Sequence, residues 1–539
     1  MNDGPRSERG LDPVTLQVLV GALRAICDEM GAVLIRSAYS ANIKERHDCS
    51  TALFDSGGEL VMQAEHIPVH LGSMPDAVAA VLGERHRPGD LWILNDPFQG
   101  GTHLPDVTLI SPIFGPGETG SGHPLAFAAS RAHHADIGGP TPGGMPADSR
   151  RLEDEGVVIA PQRATDAVLE DLAHRMRNPA QRLADLRAQR AANLTGERRL
   201  LELLEREGPD VLRAGMAEIL DYAERRTRAR LSELPDGTYE AEDVLEDDAA
   251  GTERDIRLRV SARIEGDRLT LDFTGTDPQA EGNLNCPLSV TKSAAFFSVR
   301  VVTDPDAPPS AGAFRPIEVI APEGCLLNAR FPAAVVAGNV ETSSRVADLV
   351  LSALGGATAM PAQGQGTMNN LTLAGSGLER GDERRRDRHV SLDGWTYYET
   401  LGGGQGACPD ADGPDAIHVA MSNTLNTPTE ALETEFPVRV REHSVRRGTG
   451  GDGARRGGDG LVRELEALAP LAFTLITERR AHAPRGREGG ADGATGRNLL
   501  NGEPLPSKTA GELRPGDRLR LETPGGGGYG APGDPSQRP

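Results

Sequence analysis

Asn95-Asp96-Pro97, Gly100-Gly101-Thr102-His103-Leu104-Pro105-Asp106 and Arg131-Ala132-His133-His134-Ala135-Asp136-Ile137-Gly138-Gly139 bracket two apolar segments, 107–114 and 125–129, that a glycine-rich loop joins. Short apolar runs with such a connection predict a pair of strands that returns the third motif to the second. These motifs hold three of the thirteen histidines and three aspartates. Imidazole supplies neutral nitrogen and carboxylate supplies charge, a pairing that suits a divalent zinc, manganese or iron ion. Pro105 disfavours helical backbone at Leu104, so His103 and Asp106 are expected on a turn. His133 and His134 are adjacent and point to opposite faces of an extended segment, so one of them is the expected ligand. The other, with Asp136, is left for a supporting role, Asp136 by orienting an imidazole through its free N–H.

Outward from this window, 89–94 reads as a strand running into Asn95, 50–63 as a hairpin turning at Ser56-Gly57-Gly58, and 12–39 as an amphipathic helix. Leucine-rich helical periodicity between many arginines and glutamates fills 165–232, where the charges read as a solvated face. Strand alternation follows at 239–243, 256–264 and 269–273, helices return at 289–303 and 343–354, and 379–389 reads as an exposed loop. From 434 short strands alternate with glycine clusters. The expected fold class is therefore mixed α+β in several lobes. They are an N-terminal α/β lobe (1–164) with the metal-site loops, a helical region (165–234), a mixed region (235–433) and a β-rich, glycine-rich C-terminal region (434–539).

The formal net charge of -22 speaks against nucleic acid and anionic membranes as partners, because both would be repelled. Five cysteines without a CxxC pair give neither a disulfide framework nor a thiolate zinc site, and fit a reducing cytoplasm. No apolar run is long enough to span a membrane. None of the three lysines follows a glycine, so there is no GxxxxGK[ST] loop, and the Gly525–Gly528 run has no helix after it to complete a phosphate cradle.

Two further groups are candidates. Asp48 precedes a predicted strand among polar neighbours, although spacing alone gives it little weight as a ligand. His66 and His70 form an i,i+4 pair, but Pro68 between them opposes a helix that would present both, which leaves them at most lining a pocket.

These motifs, together with Glu45-Arg46-His47-Asp48, Asp272-Phe273-Thr274-Gly275-Thr276, Gly338-Asn339-Val340-Glu341-Thr342, Asn426-Thr427-Pro428 and Gly525-Gly526-Gly527-Gly528-Tyr529-Gly530, resemble the hydantoinase B/oxoprolinase family along nearly the whole chain. Departures are Cys49, where the family often has an aromatic residue, and a long 115–124 loop. The resemblance implies a metal held by Asp48, His103, Asp106 and one of His133 and His134, with His133 favoured. It also implies a hetero-oligomer in which ATP is taken up by a separate A-type chain, which phosphorylates a cyclic amide, while this chain completes ring opening. His134 and Asp136 are then the expected proton-transfer groups, His134 favoured by the ordinary imidazole pKa. Within the same family, carboxylation of a ketone is the alternative chemistry; a non-catalytic scaffold for the A-type chain is the other.

Overall fold

A computed structural model of the chain describes residues 11–65, 67–117, 123–247, 254–375 and 394–532. His66 and the loop expected at 379–389 lie outside the described residues. The helix α1 (Pro13–Ser37) starts where the sequence places it, with Pro13 in the first turn and the Asp12 carboxylate accepting from the Val14 and Thr15 amides. Short helices α2 (Ala41–Lys44) and α3 (Met74–Leu82) follow.

Six strands build the first sheet: β1 (Cys49–Asp55), β2 (Leu60–Glu65), β3 (Trp92–Leu94), β4 (Asp106–Ile113), β5 (Ala126–His133) and β6 (Gln162–Arg163), in the order β2-β1-β5-β4-β3-β6. β4 and β5 are buried along their full length rather than alternately. The reason is that both faces are covered. Ala52, Phe54, Phe127 and Ala129 meet Met74, Val78 and Val81 of α3, while Leu53, Ala128 and Ala132 meet Leu23, Met30 and Leu34 of α1 on the other side.

The helical stretch is three helices, α4 (Asp166–His174), α5 (Pro179–Glu207) and α6 (Pro209–Leu231), broken where prolines cannot continue the preceding turn. They share a core with α1 and the sheet, through Ala188, Ala192, Leu200 and Leu204. Not all of the polar periodicity of α5 faces solvent. Asp185, Gln189 and Asn193, four residues apart, are fully buried: Asp185 accepts from the Tyr39 and Ser40 amides, Gln189 donates to the Val107 and Ser130 carbonyls, and Asn193 donates to the Leu109 carbonyl. Amides and carbonyls left over by β5 and β4 select that polar stripe.

Beyond this lobe, β7 (Gly237–Leu245), β8 (Ile256–Glu265), β9 (Arg268–Asp272) and β10 (Ile317–Ile320) form a sheet packed on α7 (Leu288–Thr303) and α8 (Ser343–Leu354). The strands β11 (Asn370–Gly375) and β12 (Trp395–Glu399), the helix α9 (Thr429–Glu435) and the strands β13 (Val438–Arg446), β14 (Gly460–Ala467), β15 (Leu471–Ile476), β16 (Arg497–Leu500), β17 (Glu503–Leu505), β18 (Lys508–Leu513) and β19 (Arg518–Glu522) complete the mixed α+β fold. One sheet, β12-β11-β15-β18, draws strands from both sides of residue 434, and the other is β13-β14-β19-β16-β17. The glycine run lies among other backbone segments. Its amides donate to Ala494 O, Gly458 O, Gln363 O and Ala491 O in turn, so none of Gly525 to Gly528 has an amide left for a phosphate.

Candidate metal centre

The register of β4 against β5 makes Asp106 and His133 cross-strand partners. They are the first residue of one strand and the last of the other, so the turn before β4 is delivered to the same place. That turn is tightly held. The Asn95 side chain donates to the Leu104 and Val157 carbonyls and accepts from the Ile159 amide. Arg131, fully buried, donates to Thr108 Oγ1, Ser73 Oγ and Gly100 O. Gly100 has φ +97°, and a Cβ on Gly101 would lie 2.2 Å from Asn95 O, so both positions require glycine.

Asp106 is the hub. Its Oδ1 lies 3.1 Å from His103 Nε2 and 3.3 Å from His133 Nδ1, while Oδ2 accepts from Thr102 Oγ1 at 2.7 Å and faces His70 Nε2 at 3.3 Å. Burial raises the Asp106 carboxyl, but His103 and the approach of the three imidazoles outweigh it and hold it well below the usual carboxylate range. Burial pushes His133 down to about 4, so this imidazole is neutral at pH 7 and keeps a lone pair to donate. His103, Asp106 and His133 offer donor atoms that all lie within 4.8 Å of one another.

Both ring nitrogens of His103 and Nε2 of His133 are buried without a well-aligned hydrogen-bond partner. Leaving such groups unsatisfied is costly unless something else binds them. Two imidazoles and a carboxylate in this state fit a divalent cation by chemistry and by convergence.

Asp48 is not one of the three converging donors. It borders the same cavity, its carbonyl accepts the His133 amide at 3.1 Å, and burial followed by the charge of Asp106 pushes its carboxyl up to about 8, against a smaller opposing effect of Arg46. The cavity measures about 20 Å³ and is bordered also by His70, Asn339, Tyr398, Thr400, Ser422 and Thr424.

His134 and Asp136 have other partners. Strand alternation turns His134 toward α5, where Nε2 meets Gln189 Oε1 at 2.9 Å. Asp136 accepts from the amides of Gly138, Gly143 and Arg177 and pairs with the Arg177 guanidinium at 3.1 Å. These contacts fix the 136–143 turn and give no support to proton transfer or to the orienting of a ligating imidazole.

Two residues at the site were undervalued or missed by sequence reasoning. His70 lies on a short turn at Pro68–His70 and reaches Asp106, although Pro68 had argued against it. Proline opposes a helix that presents two histidines, not a single turn that presents one. Tyr398 stacks on His133 with centroids 4.6 Å apart and an angle of 11°, its hydroxyl donating to Asn370 Oδ1. It comes from β12, some 265 residues away in sequence, and no local pattern announces it.

The sequence profile for hydantoinase B/oxoprolinase matches residues 12–532. The chain belongs to that family. It is 37% identical to the 5-oxoprolinase of Dictyostelium discoideum over 96% of this chain and 40% of that protein, so it spans about two-fifths of that relative's length. It is 31% identical to a putative D-/L-hydantoinase subunit from Pseudomonas sp. strain NS671, over 97% of this chain and 90% of that protein. Its fold is similar to that of an ATP-dependent caprolactamase from Pseudomonas jessenii (TM-score 0.87, 30% identity, 98% of this chain and 93% of that one). An acetone carboxylase shares the fold as well (TM-score 0.84, 16% identity, 96% of this chain and 76% of that one). Among the described residues no helix is long and apolar enough to cross a membrane.

Proposed function

We propose that this hydantoinase B/oxoprolinase chain is the metal-binding subunit of an ATP-dependent hydrolase that opens a cyclic amide such as a hydantoin, 5-oxoproline or a related lactam. The observation that carries this reading is the convergence of His103, Asp106 and His133, with unsatisfied imidazole nitrogens, on a closed polar cavity. The names of the relatives supply the substrate class: 5-oxoprolinase, hydantoinase and caprolactamase.

In this reading a bound zinc, manganese or iron ion would be held by His103, Asp106 and His133, with Asp48 as a further carboxylate, and would supply Lewis acidity toward the amide oxygen or its phosphorylated form. The residues of the chain do the rest. Thr102 and His70 bind the far oxygen of Asp106 and fix the carboxylate plane. Tyr398 holds the His133 ring from one side. The small cavity keeps bulk water from the cluster, which strengthens the electrostatic interactions inside it. ATP is assigned to a separate A-type partner in a hetero-oligomer, since the glycine run donates its amides within the fold.

The test is to purify the chain with an A-type partner, measure metal content, and follow ring opening and ADP formation with hydantoin, 5-oxoproline and caprolactam, with acetone and bicarbonate as the carboxylase arm. Ring opening that requires both chains and metal is expected. A metal-loaded complex that opens none of the three rings, or that turns over only the ketone, would overturn this reading.

A further inference from the structure

The cavity has a second polar end that the metal reading does not use. Thr400, Ser422 and Thr424 border it together with Asp48, Asp106 and His133. Behind them lies Arg46, fully buried, whose Nη2 donates to Thr400 Oγ1 at 2.7 Å and to Thr424 Oγ1 at 2.9 Å, while Nε and Nη1 have no hydrogen-bond partner. The three hydroxyls and one imidazole form a chain: Ser422 Oγ to His418 Nδ1 at 2.7 Å, His418 Nε2 to Thr424 Oγ1 at 3.3 Å, and Thr424 Oγ1 to Thr400 Oγ1 at 2.8 Å. Burial and then the charge of Arg46 push His418 down to about 3, so the ring is neutral and carries one N–H.

The direction of this chain follows from its hydrogens. A neutral imidazole has one donor and each hydroxyl has one. Three links therefore engage three of the four hydrogens, and one hydroxyl hydrogen is left over. With the proton on His418 Nε2, Ser422 donates to the ring, the ring donates to Thr424, Thr424 donates to Thr400, and the Thr400 hydroxyl is free. With the proton on Nδ1 the links reverse and the Ser422 hydroxyl is free. In either tautomer one lining hydroxyl is available as a donor, in the field of a guanidinium whose positive charge is buried.

We infer that the Thr400–Thr424–His418–Ser422 chain, backed by Arg46, is a subsite for one anionic oxygen placed across the cavity from His103, Asp106 and His133. This rests on the hydrolase reading for its purpose: the oxygen would belong to the phosphorylated amide or to a substrate carboxylate. A donor prearranged for developing negative charge is a recurrent means of stabilising such species. Because the spare hydrogen moves along the chain, loss of one hydroxyl leaves a neighbour able to donate.

The test reads binding separately from turnover. Inorganic phosphate and, in a second arm, formate are titrated by calorimetry into the full chain, into the single variants Thr400→Val and Ser422→Ala, and into the triple variant Thr400→Val/Ser422→Ala/Thr424→Val. The expected result is binding to the wild type, a loss of less than about threefold in each single variant and of about tenfold or more in the triple variant. The anion that responds identifies the source, phosphoryl or carboxylate. Equal affinity in the wild type and the triple variant, or no binding of either anion to the wild type, overturns the inference. If the triple variant does not fold, the wild type labelled with 15N-histidine decides: the responding anion must shift the ring nitrogens of His418, assigned with His418→Gln, and unchanged signals refute it. Anion binding without ring opening would leave this subsite standing and sink the hydrolase reading, and ring opening without anion binding would do the reverse.

Discussion

Asp106 Oδ1 lies 3.3 Å from His133 Nδ1 because the two residues are paired across the antiparallel ladder of β4 and β5. A carboxylate and an imidazole 27 positions apart thereby become neighbours, and the turn that starts at His103 adds a second imidazole to the same carboxylate oxygen. The first consequence concerns metal retention. His103→Ala and His133→Ala should each lose bound metal in the purified chain, whereas His134→Gln, which meets Gln189 on the α5 side, should keep it; metal analysis of the three variants checks this. Loss of metal in His134→Gln with retention in His133→Ala would reverse the assignment of the pair.

Metal uptake should release a proton from Asp48. Without a cation its carboxyl is pushed up to about 8 by burial and by Asp106, so it is largely protonated at pH 7. A divalent cation bound beside Asp106 offsets that charge and favours ionisation. Calorimetry of metal binding in two buffers of different ionisation enthalpy should therefore show close to one more proton released by the wild type than by Asp48→Asn at pH 7.

The same group predicts a pH-dependent stability difference in the metal-free chain. Asp48 ionises near 3.8 in the unfolded chain and near 8 in the folded one, so the folded state binds more protons between those values and stability falls as pH rises through that window. Asp48→Asn removes this dependence. Its melting temperature should match the wild type below about pH 4 and exceed it increasingly toward pH 8, as measured by thermal melts of metal-free protein; a constant difference across this range would contradict the assignment.

Asp136→Ala should destabilise without demetallating. Its carboxylate satisfies three backbone amides and an arginine, and loss of such bonds in a buried turn costs about 1–3 kcal/mol. Denaturant unfolding should show that loss while metal content stays near wild type. A variant of unchanged stability that loses metal would return Asp136 to the centre.

Gly101→Ala should fail at the turn itself. Its Cβ would stand 2.2 Å from Asn95 O, a backbone atom in a strand-end segment that the Asn95 side chain ties to Leu104, Val157 and Ile159. The variant is expected to fold less stably and to lose metal, because His103 and Asp106 depend on this turn. Wild-type metal affinity in Gly101→Ala would show that the turn tolerates displacement.

By itself the sequence determined the elements and the local chemistry: the α1 start at Asp12-Pro13, the hairpin of β1 and β2, the paired β4 and β5, and the candidacy of His103, Asp106 and His133. These are short-range properties, set by hydrophobic period, turn residues and the alternation of an extended chain. Tertiary structure alone decided which polar groups converge. Asp185, Gln189 and Asn193 read as part of a polar helix face until the amides and carbonyls of the first lobe claim them. His70 gains its place from Asp106, and Tyr398 and Thr400 reach the cavity from β12 and the residue after it, beside His133 and Arg46. Hydrogen bonding and packing at that separation depend on how lobes join, and no local pattern of apolar and polar residues encodes it.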